Sequence, residues 1–448
     1  MNLKNQHNHV KETIFLSIPI IITQIGHIVT GMVDTYFLGK IGKTEQAACI
    51  LSNNLYVLLL VFSIGMSYAL TPSITDVHVN NNEREKANLF KNALFVNLLV
   101  SVFLFLILYF SSPLLAYMQQ PDDVVKMAIP FFDVLIFSII PVTLFFVCKQ
   151  YAEGLSNTKA AMYIGIIGNI INVILNYVLI YGKFGLPEMG YMGSAWASFI
   201  ARVFMGVAFL IYVFKNKELN SFVIYFKEAL ITKRHSWSLF KDGLASALQF
   251  TSEAAAFVIA GLMAGVFGKE QIDGHGIALS MAAFTYMFAS GIASTTTIRV
   301  SNFLSNNNLI GVKKAINTSF KLTFIIMGAM AVVFICLNNF LPIIFSNDAE
   351  IILITSNLLL FAAAFQLFDG AQVVAVGALR GLEDYKVPTY IIMIGYWVIA
   401  LPLSYLFAFT FKMEVYGLWI ALSLSLGFVA ISMVLRIKYL ISKLITPH

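Results

Sequence analysis

Twelve runs of mostly apolar residues, each long enough to cross a bilayer, follow one another along this chain of 448 residues. Nothing constrains its fold more. We read them at 12–37, 48–76, 89–117, 126–152, 159–181, 190–214, 238–266, 275–303, 314–345, 350–378, 387–411 and 416–441. About 20 apolar residues cross the roughly 30 Å hydrocarbon core as an α-helix, while a spanning strand needs only about 9–11. The second, eighth and ninth runs exceed what a bilayer needs, which implies tilt or protrusion.

Composition excludes a soluble domain. Hydrophobic residues are 59% of the chain and charged residues 12%, about half the roughly 25% charged of an average soluble domain. Mean hydropathy is +0.81. The fold class read here is an all-α membrane protein of twelve transmembrane helices. Met1–Val10 is polar and the first run is too long for the apolar region of a cleavable signal, so that run is expected to stay as the first span. Cys49, Cys148 and Cys336 are scattered in or near apolar segments. They form neither a metal-ligand spacing nor a disulfide framework and read as packing residues.

The basic residues are distributed unevenly. Of 29 Lys and Arg, 22 fall at the termini and even-numbered loops, among them Lys215, Lys217, Lys227, Lys233, Arg234 and Lys241 in the sixth. Lys40, Lys43, Lys126, Lys183, Lys269 and Lys412 are all that the other face carries. The positive-inside rule then places both termini in the cytoplasm. The net charge of +6 is therefore a topology signal with anionic lipid as its neighbour, not a nucleic-acid footprint.

The chain also repeats itself. A shift of 226 aligns Gly42-Lys43 with Gly268-Lys269, Gly65 with Gly291, and Asn80-Asn81-Asn82 with Asn306-Asn307-Asn308. A shift of 227 aligns Glu153-Gly154-Leu155 with Arg380-Gly381-Leu382, Lys159 with Lys386 and Tyr163 with Tyr390. Each half holds six spans, giving two pseudo-symmetric bundles, 1–225 and 226–448, joined by a basic linker at about 215–237. Parallel repeats of this kind characterise transporters, whose sites lie between the halves near the midplane.

Asp34, Glu253 and Asp369 interrupt spans that are otherwise apolar. A charge at the bilayer centre costs roughly 2.5–3.5 kcal/mol even on the lenient insertion scale. The only basic residue well inside a span, Arg202, is in the wrong half to serve Glu253 and Asp369. A cation held in a polar cavity is the expected partner. In the first span, Gln24, His27, Gly31 and Asp34 share one helical face, which should point at a cavity or the bundle interior. Repeat alignment sets His27 opposite Glu253. Pro19 removes a backbone hydrogen bond in the same span, which gives a static kink or a bending point. In the fifth, Asn169, Asn172 and Asn176 lie within eight residues; such amides either glue helices together or join Asp34 around a small hard cation. Gln249 and Glu253 share a face of the seventh span, and Phe365, Asp369 and Gln372 a face of the tenth. Tyr286 could offer a phenol. The 39 Phe and 17 Met include enough soft side chains to line a cavity for varied substrates.

Catalytic motifs are missing. Gly261–Gly268 lacks the Gly-Lys-Ser/Thr ending of a phosphate loop, and there is no zinc spacing or nucleophile elbow.

Several stretches together resemble the multidrug and toxic compound extrusion family, in its NorM-like branch, over essentially the whole chain. They are Val33-Asp34-Thr35, Asn172-x-x-x-Asn176-Tyr177 followed by Tyr181-Gly182-Lys183-Phe184-Gly185, Glu253, and Phe368-Asp369-Gly370-Ala371-Gln372 leading to Gly377-Ala378-Leu379-Arg380-Gly381. The resemblance implies two six-helix lobes in a V around a central cavity. It implies a secondary exporter in the cell inner membrane that moves amphipathic, often cationic drugs out of the cytoplasm by alternating access, in exchange for sodium or protons, and so confers antibiotic resistance. It implies no cofactor beyond that ion, drug-like molecules and membrane lipids as partners, and a monomer. Glu253, Asp369 and Tyr286 match coupling positions of the second lobe, with sodium at the two carboxylates. Asp34, Asn172, Asn176 and Ser198 match the first-lobe site, and Pro19 a proline where the first span bends in some relatives. Phe365 departs from the pattern, since some relatives carry a tyrosine there. Two alternatives remain in view. A flippase for polyprenyl-linked saccharides would call for basic midplane residues, and a passive cation channel for oligomeric symmetry.

Overall fold

The computed structural model describes residues 3–117 and 121–445. Among them the regular elements are helices, and twelve are long and apolar enough to cross a membrane. These spans are His9–Gly39, Lys43–Val79, Glu83–Phe110, Asp122–Gly154, Lys159–Tyr181, Tyr191–Lys215, Lys233–Gly265, Lys269–Ser305, Leu309–Cys336, Ala349–Gly381, Lys386–Thr410 and Glu414–Ile445. Each covers most of one expected run.

The differences have local causes. The second span breaks into Lys43–Ser67 and Leu70–Val79 at the turn through Tyr68 and Ala69. The fourth breaks at Ser138, whose hydroxyl bonds the Leu135 carbonyl (2.6 Å) and so competes with the helix ladder. The ninth apolar run extends to 345, but its helix stops at Cys336. Pro342, which cannot donate a backbone hydrogen bond, sits in a separate short turn at Leu341–Ile344. The eleventh span contains two π-helical stretches, Ile394–Ala400 and Leu406–Thr410. Lys149, one of the 22 basic residues assigned above to the termini and even-numbered loops, lies inside the fourth span. It is 1% exposed and pairs with Glu153 (2.8 Å). The fourth span is the most deeply buried of the twelve.

The chain divides into two compact units, Ile22–Ala247 and Met1–Ile21 with Leu248–His448. These are not the repeat halves: the repeat says which residues correspond, and compactness says which touch. The start of the first span packs within the 248–448 unit. There Ser17 bonds Thr295 (3.0 Å), and Arg299 donates to Thr13 (2.6 Å) and Glu12 (2.9 Å). The start of the seventh span packs within the 22–247 unit, where a Cβ on Gly65 would lie 2.5 Å from the Ala247 Cα. Gly291, 226 residues after Gly65, abuts Ile21 in the same way, and 226 also separates Ile21 from Ala247. The paired glycines mark two equivalent helix crossings, each too close for a side chain.

The other repeats are explained similarly. Asn81 and Asn307 take left-handed φ of 52° and 54°, which asparagine tolerates better than most residues. Asn82 and Asn308 then cap the next span, accepting from the backbone N–H of Glu85 (3.1 Å) and Gly311 (2.8 Å). Gly154 packs on Thr71 and Ile74, and Gly381 on Thr297 and Val300. Thr71 bonds the Gln150 carbonyl (3.1 Å) as Thr297 bonds that of Gly377 (2.8 Å). The repeat thus encodes turns and close helix contacts.

The expected linker is anchored rather than loose. Phe222 is fully buried against Phe90, Tyr151 and Phe226. The Tyr151 hydroxyl donates to the Leu219 carbonyl (2.8 Å), and Asn92 and Lys91 hold the carbonyls of Leu230 and Ala229 (both 2.8 Å). All of these contacts lie in the 22–247 unit.

Candidate functional site

In the 22–247 unit, four sequence-predicted residues meet. Asn172 and Asn176 stand one turn apart on the fifth span and turn their amides to Asp34, near the end of the first. Asp34 Oδ1 accepts from Asn176 Nδ2 (2.8 Å) and, at longer range, Asn172 Nδ2 (3.4 Å). Asp34 Oδ2 accepts from the Ser198 hydroxyl (2.6 Å), which itself accepts from Asn172 (3.0 Å). All four are at most 1% exposed. Hydrogen bonds to a charged group contribute about 1.5–3 kcal/mol each, enough to offset much of the carboxylate's desolvation. The amide oxygens of Asn172 and Asn176 are buried with no hydrogen-bond partner, and Asp34 forms no ion pair among the described residues. The amide nitrogens face the carboxylate, so a small hard cation would be held here by Asp34 together with these amide oxygens only if the amides turned over.

In the 248–448 unit, Glu253 and Asp369 are 9% and 4% exposed. Glu253 Oε1 accepts from Gln372 Nε2 (2.9 Å) and from the Tyr396 hydroxyl (2.9 Å), and that hydroxyl also lies 3.3 Å from Gln372 Oε1. Asp369 lies three residues before Gln372 on the tenth span, so it shares the helical face that Gln372 turns to Glu253. Neither carboxylate has an ion-pair partner among the described residues. Two buried carboxylates so placed repel, and a bound cation or a shared proton relieves the repulsion. No group of three or more His, Cys, Asp or Glu side chains suited to a metal occurs among the described residues, so amide and hydroxyl oxygens would have to complete any cation's shell.

The other predicted residues are placed as follows. Gln372, expected in a substrate cavity, belongs to the Glu253 cluster. Phe365 is buried in the core, 6.0 Å from the ring of Phe257 and 5.5 Å from that of Trp419. Tyr286 packs on the apolar cluster of Ala289, Met327 and Val374, and the hydroxyl on Glu253 is that of Tyr396. His27 sits against Phe145 and Phe146, its buried Nε2 unpartnered. Gln249 is buried and Gln24 half-buried. Asn169 ties the fifth span to the first through Thr30 (2.8 Å) and the Gly26 carbonyl (3.1 Å), the helix-glue role. Pro19 is buried in a helix that continues through it, two residues before the division between Ile21 and Ile22. Arg202 donates to Ser138 (2.7 Å) and lies over the Tyr56 ring (4.3 Å).

Sequence reasoning missed Tyr396 and the burial of Lys149–Glu153. A phenol mid-span, after Gly395, was the one signal for Tyr396. The i, i+4 spacing was the signal for the ion pair.

A family model described as MatE matches residues 19–178 and again 245–406. The chain belongs to this family. The two matches begin 226 residues apart, the shift of the internal repeat. Among curated relatives of this multidrug and toxic compound extrusion family, the chain is 28% identical over 444 residues to multidrug resistance protein NorM of Photobacterium profundum, covering 97% of each. It is 29% identical over 434 residues to multidrug resistance protein MdtK of Yersinia pseudotuberculosis, covering 95% of this chain and 94% of that one. It is therefore a transporter of NorM-like type and a multi-pass membrane protein. Its fold is that of the eukaryotic MATE transporter AtDTX14 (TM-score 0.88, 18% identity, 98% of both chains). A MOP superfamily transporter from Pyrococcus furiosus matches equally well (TM-score 0.89, 17% identity, 98% of this chain and 97% of that one). The latter is described as having a binding pocket of reverse polarity that suggests a different function, so the shared fold does not set the substrate.

Proposed function

We propose that this MatE-family protein is a secondary multidrug exporter of the inner membrane, both termini cytoplasmic, that couples efflux of amphipathic, often cationic compounds to inward cation movement. The observation that carries this reading is the Glu253–Asp369 pair, two buried carboxylates with no basic partner among the described residues. A mobile cation is the natural counter-charge. Sodium is the ion that the oxygen donors favour: the Glu253 and Asp369 carboxylates in one unit, and in the other the Asp34 carboxylate with the unpartnered amide oxygens of Asn172 and Asn176. Buried acids at both sites argue against a carrier of anionic lipid-linked saccharides. The relatives named as multidrug resistance proteins support the substrate class.

The ion drives transport through unequal affinity for the two access states. The first and seventh spans, each divided between the compact units, are where the cycle bends, with Pro19 weakening the first. Proteoliposomes loaded with an amphipathic cationic dye test this. Efflux should follow an imposed sodium gradient. Efflux unchanged when choline replaces sodium, yet abolished with the pH gradient, would make the ion a proton. Uphill efflux with neither gradient would overturn the antiport reading.

A further inference from the structure

A groove of about 660 Å³ opens between the ninth and twelfth spans of the 248–448 unit. Ile316, Phe320 and Phe324 form one wall and Val434, Ile437 and Ile441 the other. Their spacings of three and four place each set on a single helical face. Lys313 and Lys438 stand in the same lining, both exposed. Neither has an acidic partner within 4.0 Å among the described residues, whereas the nearby Arg436 is bonded to Asp384 (2.7 Å). Asn317 adds an exposed amide, and no Asp or Glu lines the groove among the described residues.

The dimensions fit one leaflet. From Lys313 to Phe324 the ninth span rises about 16 Å at 1.5 Å per residue, close to half of the roughly 30 Å hydrocarbon core. The groove is therefore cationic at a helix end and apolar to about the midplane. A free phosphate would leave the apolar walls uncovered, and a neutral lipid would leave two lysines without a counter-charge.

We propose that this groove binds one anionic glycerophospholipid, its phosphate held by Lys313, Lys438 and Asn317 and an acyl chain laid between Phe320–Phe324 and Val434–Ile437. Ala371 of the tenth span also lines the groove. It lies between Gly370, which packs on Thr323 and Met327 of the ninth span, and Gln372, which donates to Glu253. The lipid tail thus rests on the turn of the tenth span that carries the carboxylate cluster.

Native mass spectrometry of the purified chain, titrated with phosphatidylglycerol or with phosphatidylcholine of the same acyl chains, tests the site. One phosphatidylglycerol should be retained in preference to phosphatidylcholine. Each basic residue at an anionic lipid surface strengthens binding roughly five-fold. The double variant Lys313→Gln/Lys438→Gln should therefore raise the half-saturating phosphatidylglycerol concentration roughly thirty-fold by the same rule. Lys215→Gln/Lys217→Gln, which removes the same charge from the other unit, should not. Val434→Trp, which fills the groove but keeps both lysines, should also weaken retention; should it fail to fold, the lysine variant, changed only at exposed positions, still decides. Equal retention of both lipids, equal losses in the two lysine variants, or a dimer that disappears with Val434→Trp would overturn the proposal, the last by assigning the groove to a second copy of the chain.

Discussion

The Glu253 carboxylate is held by two donors on a single oxygen, Gln372 and Tyr396. Donors that hold a carboxylate compete with a cation for it. Tyr396→Phe should therefore lower the sodium concentration that half-saturates dye efflux, by up to about tenfold if the bond lies at the low end of the roughly 1.5–3 kcal/mol for charged acceptors. A rise instead would mean that the phenol oxygen ligates the ion. The Lys149–Glu153 pair, with side chains 2% and 1% exposed, makes a second prediction. Lys149→Met should cost about 3–5 kcal/mol by stranding a buried carboxylate, while Lys149→Met/Glu153→Leu should be near neutral or stabilising. Thermal unfolding in detergent reads both, and a single variant as stable as wild type would contradict the pairing. Asp34, Asn172 and Asn176 were legible in the sequence because helical spacing and an acid in an apolar span are local signals, whereas Ser198 was reached only through the family resemblance. Tyr396 was not, because its reach to Glu253 depends on π-helical register and on how the eleventh span approaches the seventh.

At the scale of elements, the spans were legible because the bilayer fixes their length and apolarity. Their interruptions were less so. The break at Ser138 arises from local competition for a backbone carbonyl, which composition does not reveal, and the π-helical stretches at 394–400 and 406–410 leave no mark in the apolar pattern. The Asn80–Asn82 and Asn306–Asn308 triplets were visible as a repeat, and only the structure shows why: one residue takes the left-handed turn and the next caps the helix. The glycine crossings give the prediction at this scale. Gly65→Ala puts a Cβ 2.5 Å from the Ala247 Cα, and overpacking of that kind costs about 1–3 kcal/mol. The unfolding temperature should fall, whereas Gly185→Ser, in open space, should fall less despite its left-handed φ of 84°. Equal falls would show that the helices at the crossing separate freely.

Over the whole molecule, the sequence repeat and the compact units divide the chain differently. The repeat alone suggests motion about the sixth loop. The aromatic anchoring of Phe222 and Tyr151 fastens that loop to one unit and shifts attention to the first and seventh spans, each divided between the units. The halves repeat in backbone geometry but not in chemistry: a lone Asp34 with two amides in one unit, paired Glu253 and Asp369 in the other. The direct measurement is sodium flux driven by drug in proteoliposomes. A drug gradient should drive labelled sodium the opposite way through the wild-type protein, and Glu253→Gln and Asp369→Asn should abolish that flux while keeping the folded, purified state. Drug-driven sodium flux at wild-type rates in both variants would contradict the account.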